Sequence, residues 1–267
     1  MMNQASEAWS EFKAMDELAG QASVIHRLHP LVKLLVTIVY IAAAVSFPKY
    51  NLSGLLVMVL YPVFVFQASL IPIRTCFRKM RVVLPLVCAV GLFNPFFDRA
   101  PLFMLGGLAV SGGVVSMLSL MMKGIFSLMA SFLLIATTPI ESLCQALRQM
   151  HVPKILVTLL LLTYRYISVL LEELSVMLDA YHLRAPGQKG IHVSAWGAFL
   201  GQLLLRSMDR ASALYESMQL RGWSGAFYYV RGGRLTVTSL LYGVFWIALF
   251  LLARLVNLSQ LLGTLLV

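Results

Sequence analysis

Residues 154–184 read KILVTLLLLTYRYISVLLEELSVMLDAYHLR, with Pro153 before them and Ala185-Pro186 after them. The first third is apolar, the last third is polar, and no proline or glycine interrupts the run. Proline fixes φ and has no N–H, so it opens a helix readily and is excluded from its interior. The stretch therefore reads as one helix opened by Pro153 and stopped by Pro186, spanning about 45 Å at about 1.5 Å per residue. Such a helix begins among membrane helices and ends well out in water.

Composition places the whole chain in a bilayer. Of 267 residues, 60% are hydrophobic and 12% are charged, where soluble domains carry about 25% charged residues. Net charge is +10. Nucleic acid is one partner such a charge suggests, but membrane proteins carry excess Lys and Arg on the cytoplasmic side to set topology, so no nucleic acid is expected. The acids are uneven: Glu7, Glu11, Asp16 and Glu17 near the start, Asp98 alone, and six between Glu141 and Glu216. A polar region thus lies inside a hydrophobic chain. Cys76, Cys88 and Cys144 form no C-x-x-C and read as inert thiols.

Five apolar segments are expected to cross the membrane: 31–47, closed by Pro48 and Lys49, then 52–71, 82–97, 114–136 and 235–253. RTCFRKMR, with Arg74, Arg78, Lys79 and Arg81, reads as a cytoplasmic loop. Asp98 and Arg99 mark an outer turn, and LFMLGGLAVSGGVV, residues 102–115, is either an outer hairpin or a broken helix. The helix count stays open there and at the apolar start of the long helix. Lys123 falls inside the fourth span, where a charge faces the bundle or water. It is either a functional group or, more plainly, a group in a solvated cleft or an interior hydrogen bond. The first residues lack the order of a signal peptide, and Trp9, Phe12, Met15 and Leu18 recur at helical spacing, which predicts a short amphipathic helix on the membrane surface. The expected organisation is an interfacial segment 1–30, membrane helices 31–137, a cytoplasmic region 138–234 and a last membrane helix 235–267. The fold class is all-α.

Helix starts and stops are legible in the polar region. Thr138, Pro139 and Glu141 predict an N-cap, a proline in the first turn and a capping box, with that helix ending near Met150. A third helix starts near Ser194, presents Trp196, Phe199, Leu200, Leu203 and Leu204 on one side, and closes with Gly222 at its C-cap. Those apolar residues are expected to pack the two long helices together.

Two helix ends repeat. Residues 179–185 read DAYHLRA and 216–222 read ESMQLRG, so Asp179 matches Glu216, Leu183 matches Leu220, Arg184 matches Arg221 and Ala185 matches Gly222. An arginine at a helix C-terminus gains from the helix dipole, a small residue after it admits a partner backbone, and its guanidinium forks onto a carboxylate of another protein. The plainer alternative is that each Arg caps its own helix or pairs with its own acid. Duplication favours a partner that comes in two halves.

The run TTPIESLCQALRQMHVPKILVTLLLLTYRYISVLLEELSVMLDAYHLR, followed by FLGQLLLRSMDRASALYESMQLRGWSG, resembles the transmembrane T component of energy-coupling factor (ECF) transporters, in particular the cobalt and nickel type called CbiQ. HRLHPLVKLL, residues 26–35, is similar too, although many members carry an acid in place of His29. The resemblance spans nearly the whole chain and is strongest from Thr137 to Gly225. It implies two ATP-binding-cassette ATPase subunits, each receiving one coupling helix in a groove. By position, the two joints are Leu183, Arg184 and Ala185, and Leu220, Arg221 and Gly222, with Asp179 and Glu216 in support. The first joint ends in Ala185-Pro186 where relatives often have Arg-Gly. The resemblance further implies a separate substrate-binding membrane subunit, the S component, tilted by ATP-driven closure to release cobalt or nickel. It implies a bacterial inner-membrane protein with a cytoplasmic amino terminus. ATP and Mg would be used by the partner ATPases, and this chain would bind no cofactor.

A membrane enzyme and a stand-alone carrier are the competing classes. The expected spans hold no paired carboxylates, H-E-x-x-H is absent, and Asp98 is the only acid between His26 and Pro139. No catalytic residue is expected, and without G-x-x-x-x-G-K-[ST] no ATP hydrolysis by this chain. His26 and His29 flank Arg27, which repels a cation, and His151, His182 and His192 form no cluster, so no metal site is expected. A secondary carrier needs internal repeats or polar groups in several spans, and the spans offer little beyond Lys123.

Overall fold

The computed structural model describes residues 13–21, 23–49, 52–81, 83–97, 101–105, 108–188, 190–225 and 235–255. Trp9, Phe12, Asp98, Arg99 and the carboxyl-terminal residues after Leu255 lie outside them. Residues 13–19 are helical. Helix α1 is Pro30–Ser46, α2 Leu52–Met58, α3 Leu60–Ser69, α4 Ile73–Met80 and α5 Leu84–Phe97. Strands β1 (Pro101–Leu105) and β2 (Leu108–Ser111) pair antiparallel, with a register shift between Pro101 and Phe103. The glycine-rich stretch is therefore a hairpin, one of its two expected forms. Then follow α6 (Gly112–Thr137), α7 (Ile140–Gln149), α8 (Lys154–Arg184), a 3-10 turn at Val193–Ala195, α9 (Trp196–Leu220) and α10 (Val237–Leu255).

The architecture is an all-α, multi-pass membrane fold with that one small hairpin. By length and composition α6, α8 and α10 can each cross a bilayer, and α2–α3 with α4 make a fourth if the bent pair is one span. Two expectations change. Of the five expected spans, 31–47 and 82–97 form the shorter helices α1 and α5, while 52–71 stays helical through Val59, which has αR geometry. The apolar half of α8, assigned from sequence to the coupling region, is itself long and apolar enough to span.

The chain divides into two compact units, one of Leu18–Pro139 with Gly233–Val267 and the other of Met1–Glu17 with Ile140–Gly232. In the first, the core is aromatic. Tyr40 stacks on Tyr61 at 4.7 Å between ring centroids, Phe250 meets Tyr40 at 5.2 Å, and Trp246 meets Tyr61 at 5.0 Å. The Tyr40 hydroxyl donates to the Met58 carbonyl at 3.0 Å. Pro62, four residues after Met58, has no N–H for that carbonyl, so the buried tyrosine supplies a donor that neither the helix nor lipid offers. Glycines set the helix spacing. A Cβ on Gly243 of α10 would lie 2.8 Å from Val32 Cγ1 of α1, and one on Gly124 of α6 would lie 2.4 Å from Val87 Cγ1 of α5. Small residues permit such close approach between membrane helices.

The second unit begins at α7. Helix α7 starts at Ile140, and the Thr138 hydroxyl is buried with no hydrogen-bond partner among the described residues. The expected capping box is thus not closed by Thr138. Helix α7 ends in a reversal at His151, φ 64°, where the His151 and Val152 amides bond the Arg148 and Leu147 carbonyls, the pattern of a Schellman cap. Pro153 then opens α8, which runs 31 residues to Arg184. At about 1.5 Å per residue this matches the expected length of about 45 Å.

Candidate functional site

The repeated motifs sit where α8 and α9 end. In the first, Arg184 is the last helical residue and Ala185 the C-cap, with φ −126° and its amide bonding the Tyr181 carbonyl at 3.0 Å. Pro186 prevents another turn, and Gly187 takes φ 85°. In the second, Leu220 is the last helical residue and Arg221 the C-cap. Gly222 has φ 75°, its amide bonds the Gln219 carbonyl at 2.9 Å, and the Trp223 amide bonds the Met218 carbonyl at 3.0 Å. That is a complete Schellman cap, and Trp223 folds back on Tyr215 with ring centroids 6.1 Å apart. The two motifs match in sequence and stop their helices by different devices.

Both ends face outward. Leu183 is 84% exposed and Leu220 is 90% exposed, values that no helix end tucked into its own fold would have. Asp179, Arg184, Glu216, Arg221 and Gly222 are exposed and Ala185 half-buried. Among the described residues, neither arginine makes a side-chain hydrogen bond or an ion pair, with its own acid or with any other. Of the two plainer alternatives, a pair of each Arg with the acid five residues earlier does not form among the described residues, while a helix-capping role stays open, Arg221 being the C-cap of α9.

What holds the two ends apart is the packing of α8 on the start of α9. Leu178, Ile191 and Phe199 form a buried cluster, with Leu174, Met177, Tyr181, Ala195 and Trp196 against it. Of the apolar residues expected to seal the two helices, Trp196 and Phe199 do so, while Leu200 and Leu204 are exposed. The turn between is fixed by Tyr181, whose hydroxyl donates to Gln188 Oε1 at 3.1 Å and accepts from the His192 amide at 3.1 Å. His192 Nδ1 in turn accepts from the Ser194 amide, capping the 3-10 turn. Farther along, Glu173 of α8 takes Arg206 and, at 3.8 Å, Arg210 of α9. Arg184 therefore lies at the starting end of α9 and Arg221 at its finishing end, with 25 residues of helix between, about 37 Å of rise.

Sequence reading missed Glu173, Arg206 and Arg210. The four-residue spacing of the two arginines was visible, but nothing in the sequence says which α8 residue they meet. The remaining polar candidates are occupied locally. His26 Nε2 bonds the Leu18 carbonyl at 3.0 Å and Nδ1 the Ser23 hydroxyl at 2.7 Å, and His29 Nδ1 accepts from the Leu31 amide as the cap of α1. No group of three or more His, Cys, Asp or Glu side chains poised for a metal occurs among the described residues. Cys144 is buried, and burial, with Glu141 adding, raises its thiol above the ordinary value. Lys123 is an interior donor, its ammonium on the Val45 and Phe47 carbonyls.

The cobalt transport protein family, CbiQ, matches residues 21–229. The chain is 30% identical to the cobalt transport protein CbiQ of Rhodobacter capsulatus over 217 residues, 79% of this chain and 85% of that protein. It is 34% identical to the nickel permease LarQ of Lactiplantibacillus plantarum over 101 residues, 38% of this chain and 36% of that one. It is 27% identical to the energy-coupling factor transporter transmembrane protein EcfT of Streptococcus equi, over 76% of this chain and 80% of that protein. A match over most of the chain, with both repeated helix ends inside it, means that this protein belongs to the CbiQ cobalt transport protein family.

Proposed function

We propose that the chain is the transmembrane coupling subunit of an ECF-type importer for cobalt or nickel ions. In this reading it transmits the ATP-driven motion of two ATP-binding-cassette subunits to a membrane subunit that captures the metal. The relatives named for cobalt transport, nickel permeation and ECF coupling support the class. The observation that carries the reading is the pair of outward-facing Leu-Arg helix ends, with Leu183 84% and Leu220 90% exposed and both guanidinium groups unpaired among the described residues.

An exposed leucine beside an unpaired arginine at a helix tip is well suited to a pocket. The leucine fills an apolar socket and the guanidinium forks onto a carboxylate at its rim. Leu183, Arg184 and Ala185 enter one ATPase, and Leu220, Arg221 and Gly222 the other, with Asp179 and Glu216 on the preceding turns. ATP and Mg belong to those partners, and this chain binds no cofactor and catalyses no step. The selecting ligands for the cargo belong to the capture subunit. The chain lies in the bacterial inner membrane with its basic RTCFRKMR segment and coupling ends on the cytoplasmic side.

The test is a mild-detergent purification of the tagged protein from its native membrane, with co-purifying proteins identified by mass spectrometry, for wild type and Arg184→Glu/Arg221→Glu. Capture of an ATP-binding-cassette protein by wild type and its loss from the folded double variant is the expected result. Recovery of no ATPase by intact wild type, or ATP-driven uptake retained in the double variant, sinks the reading in favour of a stand-alone carrier or enzyme.

A further inference from the structure

We propose that α4 is an interfacial helix whose arginine stripe binds the headgroups of anionic lipids at the end of α3. RTCFRKMR is a helix rather than the loop its composition suggests, and it turns 118° from the membrane helix before it. Leu70, at φ 59°, and Pro72 make that turn. An element 118° from a spanning helix lies within about 28° of the plane perpendicular to it, as amphipathic helices do at the headgroup boundary.

The side chains of α4 divide into three flanks at helical spacing. Cys76 and Met80 are buried and face the protein. Ile73 and Phe77, one turn apart and about half exposed, form an apolar flank. Arg74, Arg78 and Arg81 are exposed on the next flank. At about 100° per residue, Ile73 and Phe77 point within about 40° of each other, and the three arginines fall within about 60° beside them. Arginine stems lie along apolar surface while their heads reach polar groups. Ile73 and Phe77 thus suit acyl chains, with the arginines at phosphate level.

Charge decides the class of lipid. Arg74, Arg78 and Arg81 make no ion pair among the described residues. The unit that contains them, Leu18–Pro139 with Gly233–Val267, has Asp98 as its only acidic side chain. The countercharge comes from outside that unit, and the flanking apolar pair sets it at a bilayer surface. Phosphatidylglycerol supplies a phosphate and a net negative charge there, and a zwitterionic phosphatidylcholine does not.

The experiment uses the full chain in detergent micelles mixed with phosphatidylcholine and phosphatidylglycerol, and measures by mass spectrometry the lipid retained after washing. Wild type is expected to enrich phosphatidylglycerol. Arg74→Gln/Arg78→Gln/Arg81→Gln should lose most of that enrichment, up to about a hundredfold, and Arg74→Lys/Arg78→Lys/Arg81→Lys should keep it. If the triple Gln variant fails to fold, Arg78→Gln alone should lose about a third of the preference on a logarithmic scale. No preference in wild type, or equal enrichment in a folded Gln variant, overturns the proposal. So does loss of a co-purifying protein from the Gln variant with lipid retention unchanged, which would make the arginines a protein contact. None of these outcomes depends on the coupling function.

Discussion

Lys33 and Lys123 cap each other's helices. Lys33, on α1, donates from Nζ to the Thr137 carbonyl at the end of α6, 2.7 Å away, and Lys123, on α6, donates to the Val45 and Phe47 carbonyls at the end of α1. The last carbonyls of a helix have no partner within it, lipid supplies none, and the dipole makes that end attractive to a cation. Two antiparallel helices thereby close each other's open ends. Lysine at these positions is structural chemistry in a place where charge is otherwise costly.

Lys33→Met should therefore destabilise the membrane unit by about 1.5–3 kcal/mol, the range for hydrogen bonds to charged groups. Lys33 is 4% exposed, so water cannot replace the lost donor. Lys123→Met should cost less, because Lys123 is only half-buried. The two lysines share no partner, so the double variant should show the sum of the single effects. Thermal unfolding of the three variants in one detergent checks this, and a double variant no worse than Lys33→Met alone would mean that the two caps are not independent.

The α5–α6 seam gives a second contrast. A Cβ at Gly124 would meet the stiff, β-branched Val87 at 2.4 Å, whereas one at Gly91 would meet the flexible Met121 Cγ at 2.8 Å. Overpacking costs about 1–3 kcal/mol, against a gain of up to about 1 kcal/mol from replacing glycine by alanine in a helix. Gly124→Ala should lower the unfolding temperature, and Gly91→Ala should leave it nearly unchanged because methionine shifts out of the way. Equal losses at both positions would show that the seam does not yield even at Met121.

The two Leu-Arg helix ends should respond differently to exchange of their small residues. Gly222 sits at φ 75°, where a Cβ costs about 1–2 kcal/mol, while Ala185 at φ −126° gains nothing from glycine's freedom. Gly222→Ala should weaken both the cap and ATPase capture, and Ala185→Gly should change neither by more than about twofold. Capture by the tagged variants, read beside their unfolding temperatures, separates a strained cap from a lost contact.

Punctuation and repetition made much of this legible in the sequence. Pro153 and Pro186 bound α8 because proline acts on the local backbone, and Gly222 announced the end of α9 for the same reason. The paired Leu-Arg ends were visible because a repeat needs no structure to be seen. What stayed hidden depends on partners distant in the chain. Lys33, inside the first expected span, is as visible a charge as Lys123, but its acceptor, Thr137, lies 104 positions away and is not legible. Pro62, visible in the sequence, leaves the Met58 carbonyl without its helical donor, but the Tyr40 hydroxyl that satisfies it comes from another helix. RTCFRKMR looked like a loop because its charge outweighed its period, although Ile73, Cys76, Phe77 and Met80 already fall on one side at helical spacing.

Glu173 receives Arg206 and Arg210, one turn apart on α9, and ties α8 to α9 where the two helices cross. Both arginines are nearly half exposed, with side-chain accessibilities of 47% and 48%, so solvent screens the pairs and each is worth at most about 1 kcal/mol. Glu173→Gln should thus leave the unfolding temperature almost unchanged, since Leu178, Ile191 and Phe199 still hold the helices. Its effect should appear in what depends on the spacing of the two ends. Arg206 sits on one oxygen of Glu173 and Arg210 on the other, so removing the charge frees the crossing to rotate, and on the proposed reading an ATPase pair engaging both tips loses the benefit of a fixed span. Capture of the ATPase by Glu173→Gln should fall while Arg206→Lys, which keeps a charge on the same carboxylate, retains most of it. A large drop in unfolding temperature with capture proportionate to the folded fraction would instead make the crossing a simple stability element.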